Sequence, residues 1–332
     1  FGEDSMQVVN VLLASGDYPE VFIGIEFTKA QQLLYGEQGV FLPLNDMIDE
    51  YGVNVQQVFE ERPEVEKNMT LPDGNIYSLP GINVCYHCSM SNKMWIYEPW
   101  LEELGLDMPT TTEEYRDVLI AFRDQDPNGN GEQDEIPLAG AISGWSSSVD
   151  GFLMNSFIYT DTGTYLYRDG GTAEFVANKP EWREGLAYIN GLYEDGLIAQ
   201  ETFVQQADQM KALVENPNTP IVGSYPAGWY GVYSVNGGGT GRFADFKPIS
   251  PLEGPNGFRA ARYSPPAAGF QIAITPEAQY PEAIVQMFDY FYSGYEANRL
   301  GDNFWQKGVH YREATQEERD AGVVSRDGTP AK

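Results

Sequence analysis

The chain of 332 residues carries 49 acidic side chains against 20 Lys and Arg, a formal net charge of −29. Such a surface repels phosphate backbones and anionic lipid, which argues against nucleic acid or a bare membrane face as partner. Hydrophobic residues make up 42% and aromatic residues 13% of the chain, too much for a disordered acidic protein, and no apolar run reaches the roughly 18 residues that span a bilayer. The length favours two domains.

The first predicted element is a helix over residues 6–14, ended by Ser15-Gly16-Asp17-Tyr18-Pro19. A short buried strand follows at 21–25, and helix, turn and buried strand together are the grammar of an α/β sheet. Phe41-Leu42-Pro43-Leu44 leads to a helix capped at Asn45, and Asp73-Gly74 makes a turn before a strand over 76–80. From 84 to 96 the pattern is extended. Cys85 and Cys88, the only cysteines, lie in a run of strand character at 82–90. A redox pair would open a helix, and zinc would need more soft ligands than His87 and His310, so the two cysteines read as packing. A helix over 99–104 ends at Gly105, and Thr111 with Glu114 fits a capping box for a helix reaching Arg123.

The stretch after that helix, Asp126-Pro127-Asn128-Gly129-Asn130-Gly131-Glu132-Gln133-Asp134-Glu135-Ile136-Pro137, sets hard oxygen donors at alternate positions around two glycines. Ca2+ takes six to eight oxygens at roughly 2.3–2.6 Å, and an EF-hand-like loop supplies them from alternate positions and one backbone carbonyl. Asp126, Asn128 and Asn130 fill the first three places, the carbonyl of Glu132 the fourth, and Asp134 with Glu135 close the shell. Gly131 stands where the loop turns sharply. The EF-hand pattern then breaks, because its twelfth position is Pro137 and the last carboxylate must come from Glu135. The ordinary alternative is a solvated Asp/Asn/Gly turn. Either way the loop is a structural staple with no open coordination position for catalysis.

Further along, helices are predicted at 182–197, closed by Gly196, and at 207–215. A buried strand at 220–225 runs into Ala227-Gly228-Trp229-Tyr230-Gly231, the segment 235–241 is a glycine-rich surface loop, and a strand at 270–275 precedes a helix at 281–292.

Several of these strings together resemble a known family. Leu13-Ala14-Ser15-Gly16-Asp17-Tyr18-Pro19-Glu20, Leu42-Pro43-Leu44, Asp73-Gly74-Asn75-Ile76-Tyr77-Ser78-Leu79-Pro80, Trp100 to Leu106 followed by Pro109-Thr110-Thr111, and Leu192 to Ile198 look like the extracellular solute-binding proteins of carbohydrate ABC transporters. The calcium loop with its trailing Glu135-Ile136-Pro137 is similar to the long-chain lipoprotein branch that includes alginate-oligosaccharide binders. The resemblance implies an α/β, type II periplasmic-binding-protein fold, two lobes joined by crossing strands with ligand in the cleft between them. It places residues 1–88 and 268–332 in the first lobe, 95–262 in the second, and hinge segments at 84–96 and 263–269. The family begins with a signal peptide, a lipid-modified cysteine and a strand-helix-strand unit, so a chain opening at Phe1 reads as a piece lacking both ends. Structural Ca2+, an oligosaccharide ligand, ABC permease subunits as partners, a monomeric state, a lipid anchor outside this chain and an extracellular or periplasmic location are what the resemblance implies.

Sugars bind by stacking their C–H faces on aromatic rings and by hydrogen bonds from planar polar groups. Trp229 and Tyr230 follow a predicted strand in a glycine-flanked loop, and Trp145 sits in Ser143-Gly144-Trp145-Ser146, so all three are expected to line the site. Glu26 at a strand end, and Tyr86 and His87 at the lobe crossing, are further candidates, with a solvated carboxylate and strand packing as their ordinary alternatives. Trp100 and Trp182 lie on amphipathic faces and read as core. The competing function class is a glycoside hydrolase using a pair of carboxylates, and among so many acidic residues such a pair carries no weight.

Overall fold

The computed structural model of the protein describes residues 3–25, 27–82, 86–161, 163–235, 239–263, 268–293 and 315. In chain order the elements are α1 (Glu3–Ser15), β1 (Val21–Ile23), α2 (Lys29–Glu37), α3 (Asn45–Tyr51), α4 (Val53–Glu61), α5 (Pro63–Met69) and β2 (Leu79–Ile82). A 3-10 turn over Tyr86–Met90 leads to β3 (Met94–Tyr97), α6 (Glu98–Leu104), α7 (Thr112–Asp124) and α8 (Val149–Leu153). Then come β4 (Leu166–Asp169), β5 (Thr172–Phe175), α9 (Pro180–Glu194), α10 (Ala207–Val214), β6 (Ser224–Pro226), β7 (Phe246–Ile249), β8 (Ala268–Ile274) and α11 (Pro281–Asp289). The chain divides into two compact units, Phe1–Cys85 with Pro265–Glu313, and Tyr86–Ser264 with Ala314–Lys332.

The first unit is built on an antiparallel sheet ordered β1-β8-β2, with Phe22 opposite Ala273 and Leu79 opposite Ile272. Apolar side chains of α3, α4, α5 and α11, among them Ile48, Val55, Val58, Val65 and Val285, pack with Ile272 and Ile274 into one core. A second cluster gathers Phe22, Phe27 and Phe41 edge to face, with centroids 5.1–6.0 Å apart. Helix α4 has no side-chain cap at its own N-terminus. The buried Asp289 carboxylate supplies one from α11, accepting the backbone N–H groups of Asn54 and Val55 at 2.9 Å. A carboxylate there meets the positive end of the helix dipole.

The second unit centres on β6-β3-β7, antiparallel throughout. The capping box of α7 forms as predicted: the Thr111 hydroxyl accepts the Glu114 N–H, and the Glu114 carboxylate accepts the Thr111 N–H. Trp100, Tyr115 and Phe122 fill the core behind α6 and α7, and Trp182 is buried as expected. The chain leaving the 126–135 loop runs beside two segments at once. Ile136 donates to the Ile221 carbonyl at 2.7 Å and accepts from Gly223, while Leu138 donates to Leu197.

Four local expectations change. Residues 86–90 form a 3-10 turn where a strand was expected, and Cys88 within it is disulfide-bonded, a covalent role that the packing reading did not assign. The sequence holds one other cysteine, Cys85, which lies outside the described residues. Asn45 does not cap α3, whose N-cap is Leu44; its side chain reaches out to Ile76 N–H and the Gly74 carbonyl, pinning the turn before β2. The strand predicted over 220–225 narrows to β6, because residues 221–223 pair with Ile136 instead.

Candidate functional site

Two exposed indoles dominate one face of the second unit. Trp145 is 41% and Trp229 38% exposed, unusual for the largest apolar side chain. Each lies flat on a glycine. A Cβ on Gly228 would stand 2.4 Å from the Trp145 ring, and a Cβ on Gly231 would stand 2.3 Å from that of Trp229. Only glycine permits such an approach of ring to backbone. The Gly228 N–H donates to the Trp145 carbonyl at 2.8 Å, so the two loops are tied at the same point.

Behind Trp229 the rings continue inward. Tyr230, half-buried, lies 5.0 Å from Trp229, stacks on Phe243 at 5.7 Å and meets the edge of Trp95 at 5.4 Å. Trp95 donates its indole N–H to Ala227, which fixes the chain just before Gly228. Lys93 joins the loops from below. Its ammonium donates to the His87 carbonyl at 2.7 Å and to the Gly228 carbonyl at 2.9 Å, and lies 6.0 Å from the Trp145 ring centroid. Burial lowers the pKa of Lys93, and burial and then Lys93 lower that of His87. His87 is exposed and 5.9 Å from Trp145, and the same two causes favour its neutral ring, which can both donate and accept.

Thus His87, Trp145, Trp229 and Tyr230 come together on one surface. The Tyr86 side chain and Glu26 lie outside the described residues. Beside Trp145 a cavity of about 410 Å³ opens, lined in part by Asn92, Ser146, Ser147, Ser148, Thr202 and Phe203. The sequence reading did not single out these residues. The Ser146-Ser147-Ser148 run directly after an exposed tryptophan was the available signal.

The 126–135 loop folds around its own oxygens. Asp126, with a left-handed φ of 47°, accepts the N–H groups of Asn130 and Gly131, and the Asn128 and Asn130 amides both donate to Asp134. Glu135 is different. Both of its carboxylate oxygens are buried without a hydrogen-bond partner of normal geometry. Burial raises its pKa and Asp134 and Asp126 add to the rise, against the opposing pull of the nearby backbone N–H groups of Glu135 and Asn128. An ionised carboxylate so placed is costly unless a cation compensates it. Among the described residues no three His, Cys, Asp or Glu side chains are placed to hold a metal ion.

Comparison with known proteins agrees with this picture. Residues 2–293 match the family described as bacterial extracellular solute-binding protein. The fructooligosaccharide ABC transporter substrate-binding protein FusA of Streptococcus pneumoniae serotype 4 (strain ATCC BAA-334 / TIGR4) is 36% identical over 210 residues, covering 61% of this chain and 39% of that protein. A solved S. pneumoniae FusA, an EF-hand mutant in complex with fructo-nystose, superposes with a TM-score of 0.77 at 27% identity over 96% of this chain and 62% of its own. The alginate-binding protein AlgQ2, solved without calcium ion, gives a TM-score of 0.72 at 26% identity, covering 98% and 63%. The chain therefore spans less than two thirds of each of these relatives. By fold and by sequence, the chain belongs to the bacterial extracellular solute-binding proteins.

Proposed function

We propose that this protein captures an oligosaccharide outside the cell and hands it to the membrane permease of an ABC importer. The observation that carries the reading is the pair of exposed indoles, Trp145 and Trp229, each laid on a glycine and backed by Lys93 and Tyr230. Flat apolar faces held open beside hydroxyl and amide groups suit the alternating C–H and O–H surface of a sugar. His87 and the Asn92 and serine cluster supply the hydrogen bonds, and no proton transfer is needed to hold the ligand. Binding, not hydrolysis, is also what family membership favours. A lipid anchor outside this chain, a monomeric state and an extracellular location complete the proposal.

The residues of the 126–135 loop fit a structural Ca2+, because the buried Glu135 oxygens are what a hard cation would satisfy. Asp126, Asn128, Asn130, the Glu132 carbonyl, Asp134 and Glu135 would hold it. Its charge would let three carboxylates share one loop. Asp126→Ala with Glu135→Ala should lower the melting temperature and abolish its response to EDTA. A response that survives the double substitution contradicts the assignment.

The sugar reading is tested by melting the protein with a panel of oligosaccharides while assaying reducing ends. A ligand that binds the folded state raises the melting temperature and is recovered intact. Accumulating reducing ends would establish a hydrolase instead.

A further inference from the structure

We infer that the cavity beside Trp145 is a subsite for one uncharged sugar ring, so that the ligand is a neutral glycan and not a polyuronate. The inference rests on the oligosaccharide reading and narrows it. At about 410 Å³ the cavity lies within the size range of small-ligand sites. Its polar lining is hydroxyl and amide: Asn92, Ser146, Ser147, Ser148 and Thr202, with Phe203, half exposed, as the aromatic wall. Among the described residues no ionisable side chain lines it.

Asn92 and Ser146 have capacity left for a ligand. Asn92 donates its amide to the Gly151 carbonyl at 2.8 Å, which fixes the amide and leaves its oxygen as an acceptor for a sugar hydroxyl. Ser147 is buried, its hydroxyl packed beside Gly144 and the Tyr233 hydroxyl, so it backs the cavity wall and leaves the ligand contacts to its neighbours. Ser146 holds a left-handed φ of 55°, a conformation most residues avoid, which brings its side chain to the cavity wall.

A carboxylated sugar would meet a poorer site. The Asp150 carboxylate accepts the hydroxyl of Ser148 in the lining and would repel an anion. The Lys93 ammonium is committed to the His87 and Gly228 carbonyls. A carboxylate entering here would shed water and gain no cation.

The test is calorimetric titration of the protein with nystose, maltotetraose and tetragalacturonate, repeated on Ser146→Gly and Phe203→Ala. Glycine adopts the φ of Ser146 freely, and Phe203 is an exposed ring, so both variants keep the fold, which melting curves verify. At least one neutral tetrasaccharide should bind, and tetragalacturonate at least about tenfold more weakly. Ser146→Gly should weaken the neutral ligand about two- to tenfold, as loss of one neutral hydrogen bond does, and Phe203→Ala about tenfold. Equal or tighter binding of tetragalacturonate overturns the inference and leaves oligosaccharide capture standing. So does neutral binding that neither variant alters. Failure of every oligosaccharide to bind removes the oligosaccharide reading itself.

Discussion

Trp145 and Trp229 are fixed by what lies beneath them. Gly228 and Gly231 allow each ring to rest on backbone, and Lys93 stitches Gly228 to the turn that carries His87. Removing an indole from such a support deletes contact area for a ligand while disturbing little of the core, because more than a third of each residue's surface is already in water. Trp229→Ala and Trp145→Ala should each cost about 2 kcal/mol of sugar affinity, roughly thirtyfold in Kd, with a small change in melting temperature. Unchanged affinity with a clear loss of stability, read by calorimetry beside melting curves, would assign the rings to packing. These rings were legible in the sequence because a tryptophan flanked by glycine or serine after a strand has little to pack against. Asn92 and the three serines were not, since small polar residues look alike in every loop until the backbone brings them to one cavity.

At the scale of elements, strictly local signals translate well. Thr111 and Glu114 form the reciprocal cap they spell, and Thr111→Ala should destabilise the second unit by about 1 kcal/mol in denaturant titration. A cost below a few tenths would show that the cap is redundant. Signals that depend on partners distant in sequence translate poorly. Asn45 has the composition of a cap, yet its amide is recruited by residues 74–76. The 86–90 stretch alternates like a strand, yet folds into a 3-10 turn whose His87 carbonyl takes a hydrogen bond from Lys93.

Glu215, just after α10, is a clamp of the same long-range kind and escaped sequence reading altogether. Its carboxylate accepts the N–H groups of Val235 and Thr240 and the hydroxyls of Ser234 and Thr240, gathering the two ends of the glycine-rich loop. Burial pushes its pKa up, but those hydrogen bonds outweigh it and hold the folded value below the usual carboxylate range. A carboxylate with a lowered folded pKa stabilises fully above its unfolded value, about 4.3, and loses that contribution as pH falls through the folded value. The melting temperature of Glu215→Gln should therefore fall short of the unsubstituted protein's at pH 7, and the gap should close in acid below about pH 4. A gap independent of pH would mean that the charge contributes nothing.

For the whole molecule, the α/β class was legible from the order of helices and strands, and a two-part plan from the chain's length and the family resemblance. The sheet order was not, because β8 pairs with β1 and β2 across most of the chain and no local pattern encodes which distant strand inserts between two early ones. The 126–135 loop matters at this scale. It leads from α7 into the 136–138 segment, which hydrogen-bonds to residues 197–199 on one side and 221–223 on the other. A cation bound there would tie helix to sheet and offset part of a charge of −29, adding about 2.7 kcal/mol at a hundred times its Kd. Melting temperature should accordingly rise with Ca2+ concentration and, at equal ionic strength, not with Na+. An equal rise with Na+ would reduce the effect to screening.

The proposed function requires that this chain hold an oligosaccharide without transforming it. Titrating the 332-residue protein in a calorimeter with a neutral tetrasaccharide, in the presence of Ca2+, tests that most directly. The account predicts a saturable isotherm with a stoichiometry of one, weakened roughly thirtyfold by Trp229→Ala. No saturable heat from any oligosaccharide, or a steady heat of turnover that persists after saturation, would contradict it.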